Sequence, residues 1–583
     1  MFTSHEKIRV SLSNFISHKI FKLYELELDP KVIYSSFGPT PSKEAGDLAF
    51  PLFEIAKKLK SPPPKIAQEL AKDLEGLPDI IKSIKVIGPY LNFFVDHEKV
   101  ASNLIPQIIS GDFFKLTLTE APPKTMIEYS QPNTHKELHV GHMRNLCYGN
   151  ALVNIHRYCS IPTLSSTFPG DVGTHVAKCL WFYKNHNTEE VPSSQKGAWL
   201  GRLYSKAHNK LEDERGSEKE ESNRLELTKI LHQLEKKEGE YFDLWVKTRE
   251  WSIEQMNDVY SWANVKFDHW YWESEVDSPS VELIREYHKK GLFKEDKGCI
   301  GIDLSDDNLG FCMLIKTDGN GLYATKDIEL ARRKFKDHKI EKSLYVVDKR
   351  QEHHFKQVFK VLELMGFEEA KKCHHLPYDF VELPDGAMSS RKGNIVPLQA
   401  LITQMTEMIK TEYLKKYIDQ WPQETIEATA KMIAEGAIKY GMNKIDPHKK
   451  IVFDMKDWLK LDGESGPYIQ YTHARIFSLV RKNPRSELIP TTMSFSATQE
   501  RDLILKLIEF NLTVEESCRF YKPSLLTSYL YDLSRLFNSF YAECPVASAE
   551  TEVKNSRLAL CESVALTLKT GLSLLGVQAP EQM

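Results

Sequence analysis

The spacing of apolar side chains first separates a small N-terminal unit from the rest of the chain. In PPPKIAQELAKDLEG (62–76), apolar residues recur every three to four positions between prolines and a glycine, which predicts a helix ending at Gly76. In IKSIKVIGPYLNFFVD (81–96), side chains alternate between two faces, which predicts a strand with one accessible face. Residues 1–117 are therefore expected to form an α+β domain. The accessible strand face would carry Tyr90, Asn92 and Phe94.

A second pattern begins near residue 118 and indicates a parallel sheet. The apolar run TMIEYS (125–130) predicts a buried strand, and apolar residues four apart over 141–159 predict a helix. The run TLSSTF (163–168) predicts the next strand. This strand–helix–strand unit is typical of a Rossmann-like domain, which we expect to cover 118–400.

The predicted sheet is interrupted by a polar helical insertion over about 186–290. Its centre, KLEDERGSEKEESNRLELTKILHQLEKKEGE (210–240), is rich in charge and is expected to present a solvated face. Alternation returns in CIGIDL (299–304) and SLYVVD (343–348), so we expect both segments to continue the sheet.

Beyond about residue 400, amphipathic helices replace the strand signals. Examples are ILKLIEFNLTVEESC (504–518) and TSYLYDLSRLFNSFYAEC (527–544). Residues 401–454 are predicted to be connecting helices and 455–583 an all-α domain. The expected fold class is multidomain α/β: a Rossmann-like parallel-sheet domain with a helical insertion, between an N-terminal α+β domain and a C-terminal helical domain.

Composition narrows the classes of function without identifying one. A chain of 583 residues with 41% hydrophobic residues is long enough for three or four domains. The formal charge of −4 favours neither a membrane surface nor a polyanion as a general partner, so any polyanion site must be local. Nine cysteines without a CxxC pair indicate a reducing compartment and no structural metal. With no long apolar run and no signal pattern, we expect a cytoplasmic protein without a membrane partner.

The stretch SQPNTHKELHVGHMRN (130–145) contains the candidate chemistry. A zinc site is disfavoured because His139 and His142 lack HExxH spacing and a third ligand. Burial of both histidines beside Lys136 and Arg144 would be hard to satisfy with hydrogen bonds. A phosphate site explains more, because a helix N-terminus after a strand presents free N–H groups and Gly141 allows close approach. The imidazole N–H groups could then donate to phosphoryl oxygens.

Two signatures give the chain a family resemblance. HVGH (139–142) and MSSRKGN (388–394) resemble the paired signatures of class I aminoacyl-tRNA synthetases. Further segments across nearly the whole chain are similar to arginyl-tRNA synthetases: EYSQPNTHKELHVGHMRN, PGDVGTH, DGNGLYATKDIELA, YVVDKRQEHHFKQVF and GPYIQYTHARI. The resemblance implies a two-step ligase that forms arginyl adenylate and pyrophosphate from arginine and ATP. It then implies transfer of the arginyl group to the 2′-hydroxyl of the terminal adenosine of tRNA(Arg), with Mg²⁺ accompanying ATP.

A guanidinium is planar and carries five N–H donors, so an arginine pocket needs carboxylate and carbonyl-type acceptors. The residues that match the family's arginine-binding positions are Glu128, Ser130, Asn133, Tyr323, Asp327 and Gln351. Without the resemblance, Asp327 could cap a helix, Glu128 could be a surface charge and Tyr323 could belong to the core. The histidine pairs 353–354 and 374–375 are interpreted as surface or helix residues, because adjacent imidazoles do not converge on one ion.

The second signature departs from the family pattern KMSKS. Ala387 and Ser390 stand where its two lysines would be, so another cation must face the leaving phosphates. The candidates are Lys136, Arg391 and Lys392, and the resemblance favours Lys136. The residues implied to hold ATP are His139, Gly141, His142, Met388 and Lys392. Those implied to be catalytic are His139, His142, Lys136, Ser389, Ser390 and Arg391.

Recognition of tRNA is expected at both ends of the chain. The basic helix YTHARIFSLVRKNPR (471–485) supplies Tyr471 and Arg475, which the resemblance assigns to an anticodon-binding domain. It also implies that the face with Tyr90, Asn92 and Phe94 binds the tRNA elbow. The family expectation is a monomer. Two alternatives stay open here: another class I synthetase or nucleotidylyltransferase, and an RNA-binding protein that has lost catalysis.

Overall fold

The structure of the chain is a computed structural model that describes residues 4–38, 40–72, 74–383, 386–387, 396–484 and 493–583. Five predicted site residues lie outside these described residues: Met388, Ser389, Ser390, Arg391 and Lys392.

The N-terminal part is an α+β unit, as predicted. Its elements are α1 (Ser4–Tyr24), α2 (Pro30–Ser36), β1 (Leu48–Pro51), α3 (Phe53–Leu59), α4 (Pro63–Lys72), β2 (Ile81–Ile87), β3 (Tyr90–Val95) and α5 (His97–Ser110). The three strands form an antiparallel sheet in the order β1-β3-β2. The predicted helix is confirmed as α4, although α4 ends four residues before Gly76. The single strand predicted over 81–96 is instead a hairpin of two antiparallel strands, β2 and β3.

The predicted accessible face of β3 is only partly accessible. Tyr90 is 37% exposed, but Asn92 is 1% exposed. The reason is that the backbone at Gly46 runs against this face: a Cβ at Gly46 would lie 3.3 Å from Asn92 Cβ. Alternation correctly assigns the side chains to two faces, but the prediction of an accessible face is wrong at Asn92. Phe94 is half-buried.

The central part contains a five-stranded parallel sheet with strand order β11-β10-β4-β5-β6. The elements of this part are β4 (Thr125–Glu128), α6 (Val140–Tyr158), β5 (Thr163–Thr167), α7 (Thr174–Asn185), α8 (Lys196–Asp213), α9 (Lys219–Lys236), α10 (Glu240–Trp262), β6 (His269–Trp270), α11 (Glu273–Lys289), β7 (Lys294–Asp296), β8 (Cys299–Asp303), β9 (Phe311–Ile315), α12 (Tyr323–His338), β10 (Lys342–Asp348), α13 (Glu352–Leu364), β11 (Cys373–Tyr378), β12 (Val381–Leu383) and β13 (Gly386–Ala387).

The strand–helix–strand unit β4-α6-β5 confirms the predicted start of the sheet, and β10 confirms SLYVVD as one of its strands. The prediction for CIGIDL is wrong, because β8 pairs with β7 and β9 in a separate antiparallel sheet. Helices α8, α9 and α10 lie in the insertion predicted over about 186–290. The sheet resumes before the end of that range, because β6 at 269–270 pairs with β5.

The last part of the chain is mainly helical, as predicted. Its elements are α14 (Leu398–Glu412), α15 (Gln423–Lys444), β14 (Ile451–Val452), α16 (Met455–Trp458), α17 (Gly466–Lys482), α18 (Thr498–Ile508), α19 (Phe510–Arg519), α20 (Pro523–Glu543) and α21 (Thr551–Leu574). The segment 504–518 spans two helices that meet at Glu509, not one. In addition, β14 pairs with β12, which joins this part to the central domain.

The N-terminal and C-terminal parts pack on each other. Arg501 on α18 forms an ion pair with Asp47, and Asn511 Nδ2 on α19 donates to the Phe113 carbonyl at 2.7 Å. Apolar residues of both parts share one core with the far end of α6, including Ile155. No helix in the described ranges combines the length and the apolar character needed to cross a membrane.

Candidate active site

A cleft of about 780 Å³ opens where β4 and β10 end and α6 begins. In a parallel sheet, these carboxyl ends are the usual position of a ligand site. The predicted site residues that line the cleft are Glu128, Ser130, Asn133, His139, Gly141, His142, Tyr323, Asp327 and Gln351. The fold therefore brings together residues from segments nearly 200 positions apart in the chain.

The two signature histidines form the N-terminal cap of α6. The Gly141 N–H donates to His139 Nδ1 at 3.1 Å, and the His139 N–H donates to His142 Nδ1 at 3.1 Å. The ring centroids are 4.0 Å apart. Because each Nδ1 accepts a backbone hydrogen bond, each neutral ring carries its proton on Nε2.

Both histidines are neutral at physiological pH. Burial lowers the pKa of His139 to about 4. Burial, followed by the neighbouring His139, lowers the pKa of His142 well below its usual value. The pair therefore offers two Nε2–H donors whose orientation is fixed by the helix start. Such donors suit phosphoryl oxygens and cost no reorganisation when charge develops there.

Lys136 lies on the loop that leads into this helix. Its Nζ is 5.2 Å from the centroid of the Tyr204 ring on α8. Burial is the largest cause of the low pKa of His142 and the neighbouring His139 is the next; the positive charge of Lys136 lowers this pKa further. It also contributes to the low pKa of His175, for which burial is the largest cause. Lys136 is thus a cation beside the candidate phosphate site.

Arg144 follows the signature histidines in the sequence but does not line the cleft. Its side chain is 1% exposed, and its Nη2 donates to the backbone carbonyls of Asp446, Pro447 and Lys449 at 3.2, 3.1 and 3.1 Å. Arg144 therefore fastens α6 to the segment before β14. Arg144 points away from His142, because residues two apart on a helix lie on opposite sides.

Two of the four carboxylates that line the cleft, Glu128 and Asp327, have different basic partners. Glu128 ends β4, is 3% exposed, and forms an ion pair with Lys334 of α12, which is 0% exposed. Asp327 lies one turn into α12, and its Oδ2 is 2.6 Å from His354 Nε2. His354 lies on α13, which agrees with its interpretation as a helix residue, but it also lines the cleft. Sequence reasoning missed both basic partners, since each depends on contacts between separate elements.

The other predicted arginine-binding residues frame these carboxylates. Tyr323 is the first residue of α12 and its side chain is 72% exposed at the rim, so it is not a core residue. Gln351 is exposed at the start of α13. Asn133 forms an isolated bridge with Gly170, which fixes the loop after β4. Open polar groups at the rim, with the buried Glu128 and the half-buried Asp327 beneath them, suit a long cationic side chain.

Ser130 is held by a residue that sequence reasoning missed. Its backbone lies in the left-handed region with φ 57°, which is strained for a non-glycine residue. The Ser130 N–H donates to Asn145 Oδ1 at 2.5 Å, while Asn145 Nδ2 donates to the Val346 carbonyl at 2.9 Å and Tyr378 OH at 3.1 Å. Asn145 therefore ties α6 to three segments of the cleft. Its spacing of three from His142 is a sequence signal for the same helix face.

The charge-rich insertion also supports the site. The His135 N–H donates to Ser252 Oγ at 3.0 Å, and His135 Nε2 is 2.8 Å from Thr248 Oγ1, both on α10. On α8, a Cβ at Gly201 would lie 2.4 Å from the Glu137 backbone nitrogen. The insertion therefore has one face that holds the loop before His139, in addition to its solvated face.

The two candidate RNA-binding surfaces are both at least partly exposed. On α17, the Arg475 guanidinium lies 4.8 Å from the centroid of the Tyr471 ring and donates to Asn538 Oδ1 at 3.0 Å. In the N-terminal sheet, the Tyr90 ring meets Phe53 edge to face, with 5.7 Å between centroids. Each cluster combines an aromatic ring with an open side.

Comparisons with known proteins agree with this architecture. A model of class I (R) tRNA synthetase catalytic domains matches residues 105–455. A model of arginyl-tRNA synthetase N-terminal domains matches residues 6–95, and a model of DALR anticodon-binding domains matches residues 469–583.

Whole-length relatives give the same result. The arginine–tRNA ligase of Bdellovibrio bacteriovorus is 53% identical, covering 99% of this chain and 100% of the relative. That of Treponema denticola is 34% identical over 93% of this chain and 94% of the relative. The solved Thermus thermophilus arginyl-tRNA synthetase superposes with a TM-score of 0.79 at 27% identity, covering 99% of this chain and 100% of that one. The resemblance predicted from the two signatures is confirmed: the chain belongs to the class I arginyl-tRNA synthetase family of arginine–tRNA ligases.

Proposed function

We propose that this family member carries out both steps of arginine attachment at the cleft around Glu128, Asp327 and the signature histidines. In the first step, the arginine carboxylate attacks the α-phosphorus of ATP, and the bond to pyrophosphate breaks. In the second, the 2′-hydroxyl of the terminal adenosine attacks the carbonyl of the adenylate, and AMP leaves. The supporting observation is that two carboxylates and two neutral imidazole donors line one cleft.

Arginine is proposed to place its guanidinium between Glu128 and Asp327. A planar fork of five donors can satisfy both carboxylates, whereas the compact ammonium of lysine leaves acceptors unpaired. The α-amino and carboxylate groups would be held near Ser130 and Asn133, at the other side of the cleft. Tyr323 and Gln351 then border the guanidinium at the rim.

ATP is proposed to lie against the start of α6, with Mg²⁺ as part of the substrate complex. The Nε2–H groups of His139 and His142 donate to phosphoryl oxygens, and Gly141 allows the backbone to approach. Lys136 supplies the positive charge that the altered second signature lacks. The second-signature residues proposed to share in ATP binding and catalysis are Met388, Ser389, Ser390, Arg391 and Lys392.

The tRNA is proposed to contact both ends of the chain. Tyr471 and Arg475 would bind the anticodon region, and Tyr90 with Phe94 would bind the elbow. Asn92 would join them only if the segment at Gly46 moved, because its side chain is buried. We further propose a cytoplasmic monomer with tRNA(Arg), arginine and ATP as its partners.

Arginine-dependent exchange of pyrophosphate into ATP, with and without tRNA and with lysine in place of arginine, tests the activity. The pocket is tested by Asp327→Asn, for which we expect a loss of about 2 to 5 kcal/mol in arginine kcat/KM. Glu329→Gln is the matched control, since this carboxylate on the same helix binds Arg332 and Arg333 instead. Wild-type kinetics in Asp327→Asn would contradict the assignment of the pocket.

A further inference from the structure

The two cleft carboxylates assigned to arginine, Glu128 and Asp327, differ in how their charge is balanced. Lys334, which pairs with Glu128, lies 3.9 Å from the centroid of the Tyr345 ring and is fully buried. Asp327 has instead a titratable partner, His354, at 2.6 Å. The side chains of His354 and Asp327 are 23% and 17% exposed, so both open to the cleft.

The surroundings of His354 leave Asp327 as its main electrostatic partner. Burial alone would lower the pKa of His354, but the hydrogen bond and the charge of Asp327 outweigh burial and raise it. The other titratable neighbour is His375 on β11, whose Nε2 bonds to the Val347 carbonyl. Arg350, which also lines the cleft, is held by Asp348.

We propose that His354 is a positioning residue of the arginine pocket: its neutral imidazole orients the Asp327 carboxylate, and its protonated form competes with the substrate guanidinium for that carboxylate. The proposal rests on the assignment of Asp327 to arginine binding. Neutral His354 donates one hydrogen bond to Oδ2 and leaves the carboxylate's charge to the substrate. Imidazolium neutralises that charge before arginine arrives, and places a second cation beside the guanidinium.

The consequence is a link between arginine binding and proton release. Only the neutral fraction of His354 is competent, so the apparent Kd of arginine rises by about tenfold for each pH unit below the pKa of His354. Because this pKa is raised, the loss of affinity begins at a higher pH than an ordinary histidine would give. Above the pKa, affinity is independent of pH.

Calorimetric titration of L-arginine into the full-length protein between pH 5.5 and 8.0 tests the proposal. For the wild type, we expect the acid-side rise in Kd and release of up to one proton, measured in two buffers of different ionisation enthalpy. His354→Gln retains an amide donor but cannot ionise, so its Kd at pH 8 should stay within about fivefold of wild type and its pH profile should be flat. The control is His353→Gln, the exposed neighbour on the same helix, which should keep the wild-type profile.

Two outcomes separate this proposal from the pocket assignment. If Asp327→Asn loses arginine affinity but His354→Gln titrates like wild type, His354 has no competing role. If Asp327→Asn binds arginine normally, the pocket assignment itself fails. The number of protons released when the wild-type protein binds arginine tests the proposal without any variant. A pH-independent Kd with no proton release would overturn the proposal even if His354→Gln did not fold.

Discussion

Asn145→Ala should impair the use of arginine more than its distance from the substrate suggests. The substitution leaves the Ser130 N–H and the Val346 carbonyl without their partner inside the protein. An unpaired buried group costs about 1 to 3 kcal/mol. Ser130 also loses the bond that holds its φ of 57°, a conformation that costs about 1 to 3 kcal/mol.

We expect part of this free energy to appear as weaker binding of arginine. If Ser130 relaxes and the substrate must restore it, arginine kcat/KM falls by about 1 to 3 kcal/mol, or about 5- to 150-fold. The affinity for ATP should change less, since the caps of His139 and His142 use backbone donors and not Asn145.

The assay is aminoacylation over a range of arginine and ATP concentrations, with thermal unfolding measured in parallel. Asn154→Ala is the matched control: it lies on the same helix, and its Nδ2 makes only a 3.4 Å contact with the Ser573 carbonyl. Lowered stability with unchanged arginine kcat/KM would refute the positioning role and leave Asn145 a purely structural residue. An equal effect of Asn154→Ala would point to the helix as a whole.

The remaining predictions concern phosphate and RNA contacts. His142→Ala should slow adenylate formation by about two to three orders of magnitude with little change in arginine affinity. Because the pKa of His142 is well below its usual value, titration of this histidine should not change the wild-type rate of adenylate formation between pH 6 and 8. In single-turnover assays at saturating ATP, Lys136→Met should slow adenylate formation much more than Lys392→Met, and full speed in Lys136→Met would transfer the role to the second signature. Tyr90→Ala should raise the KM for tRNA and leave pyrophosphate exchange at saturating tRNA unchanged.

The sequence predicts this site well where the information is local. The signature histidines follow a strand and begin a helix, so the spacing of apolar residues alone places them at the end of a parallel strand. The capping bonds between them then follow from the helix start itself. In the same way, residues 125–128 and 163–167 are confirmed as neighbouring strands.

The errors arise where a side chain's environment is set by a distant element. Alternation in 299–304 identifies a strand but cannot say which sheet it joins, and the alternation of β3 cannot reveal that Gly46 covers Asn92. The sequence does not place His354 in the cleft, because its partner Asp327 lies 27 positions away on another helix.

The hydrogen bonds around α6 give a reason for the buried polar side chains on this helix. Adenylate formation depends on placing reactants and phosphate donors within narrow limits, and little covalent chemistry is needed from the protein. A helix packed only by apolar contacts could shift along its axis at small cost. Here His135 fixes the loop before the helix, Asn145 fixes its second turn, and Arg144 fixes its opposite face. Each does so through buried hydrogen bonds that weaken if the helix moves. Because these bonds reach the insertion, the sheet and the segment before β14 separately, each part of the chain constrains the position of His142.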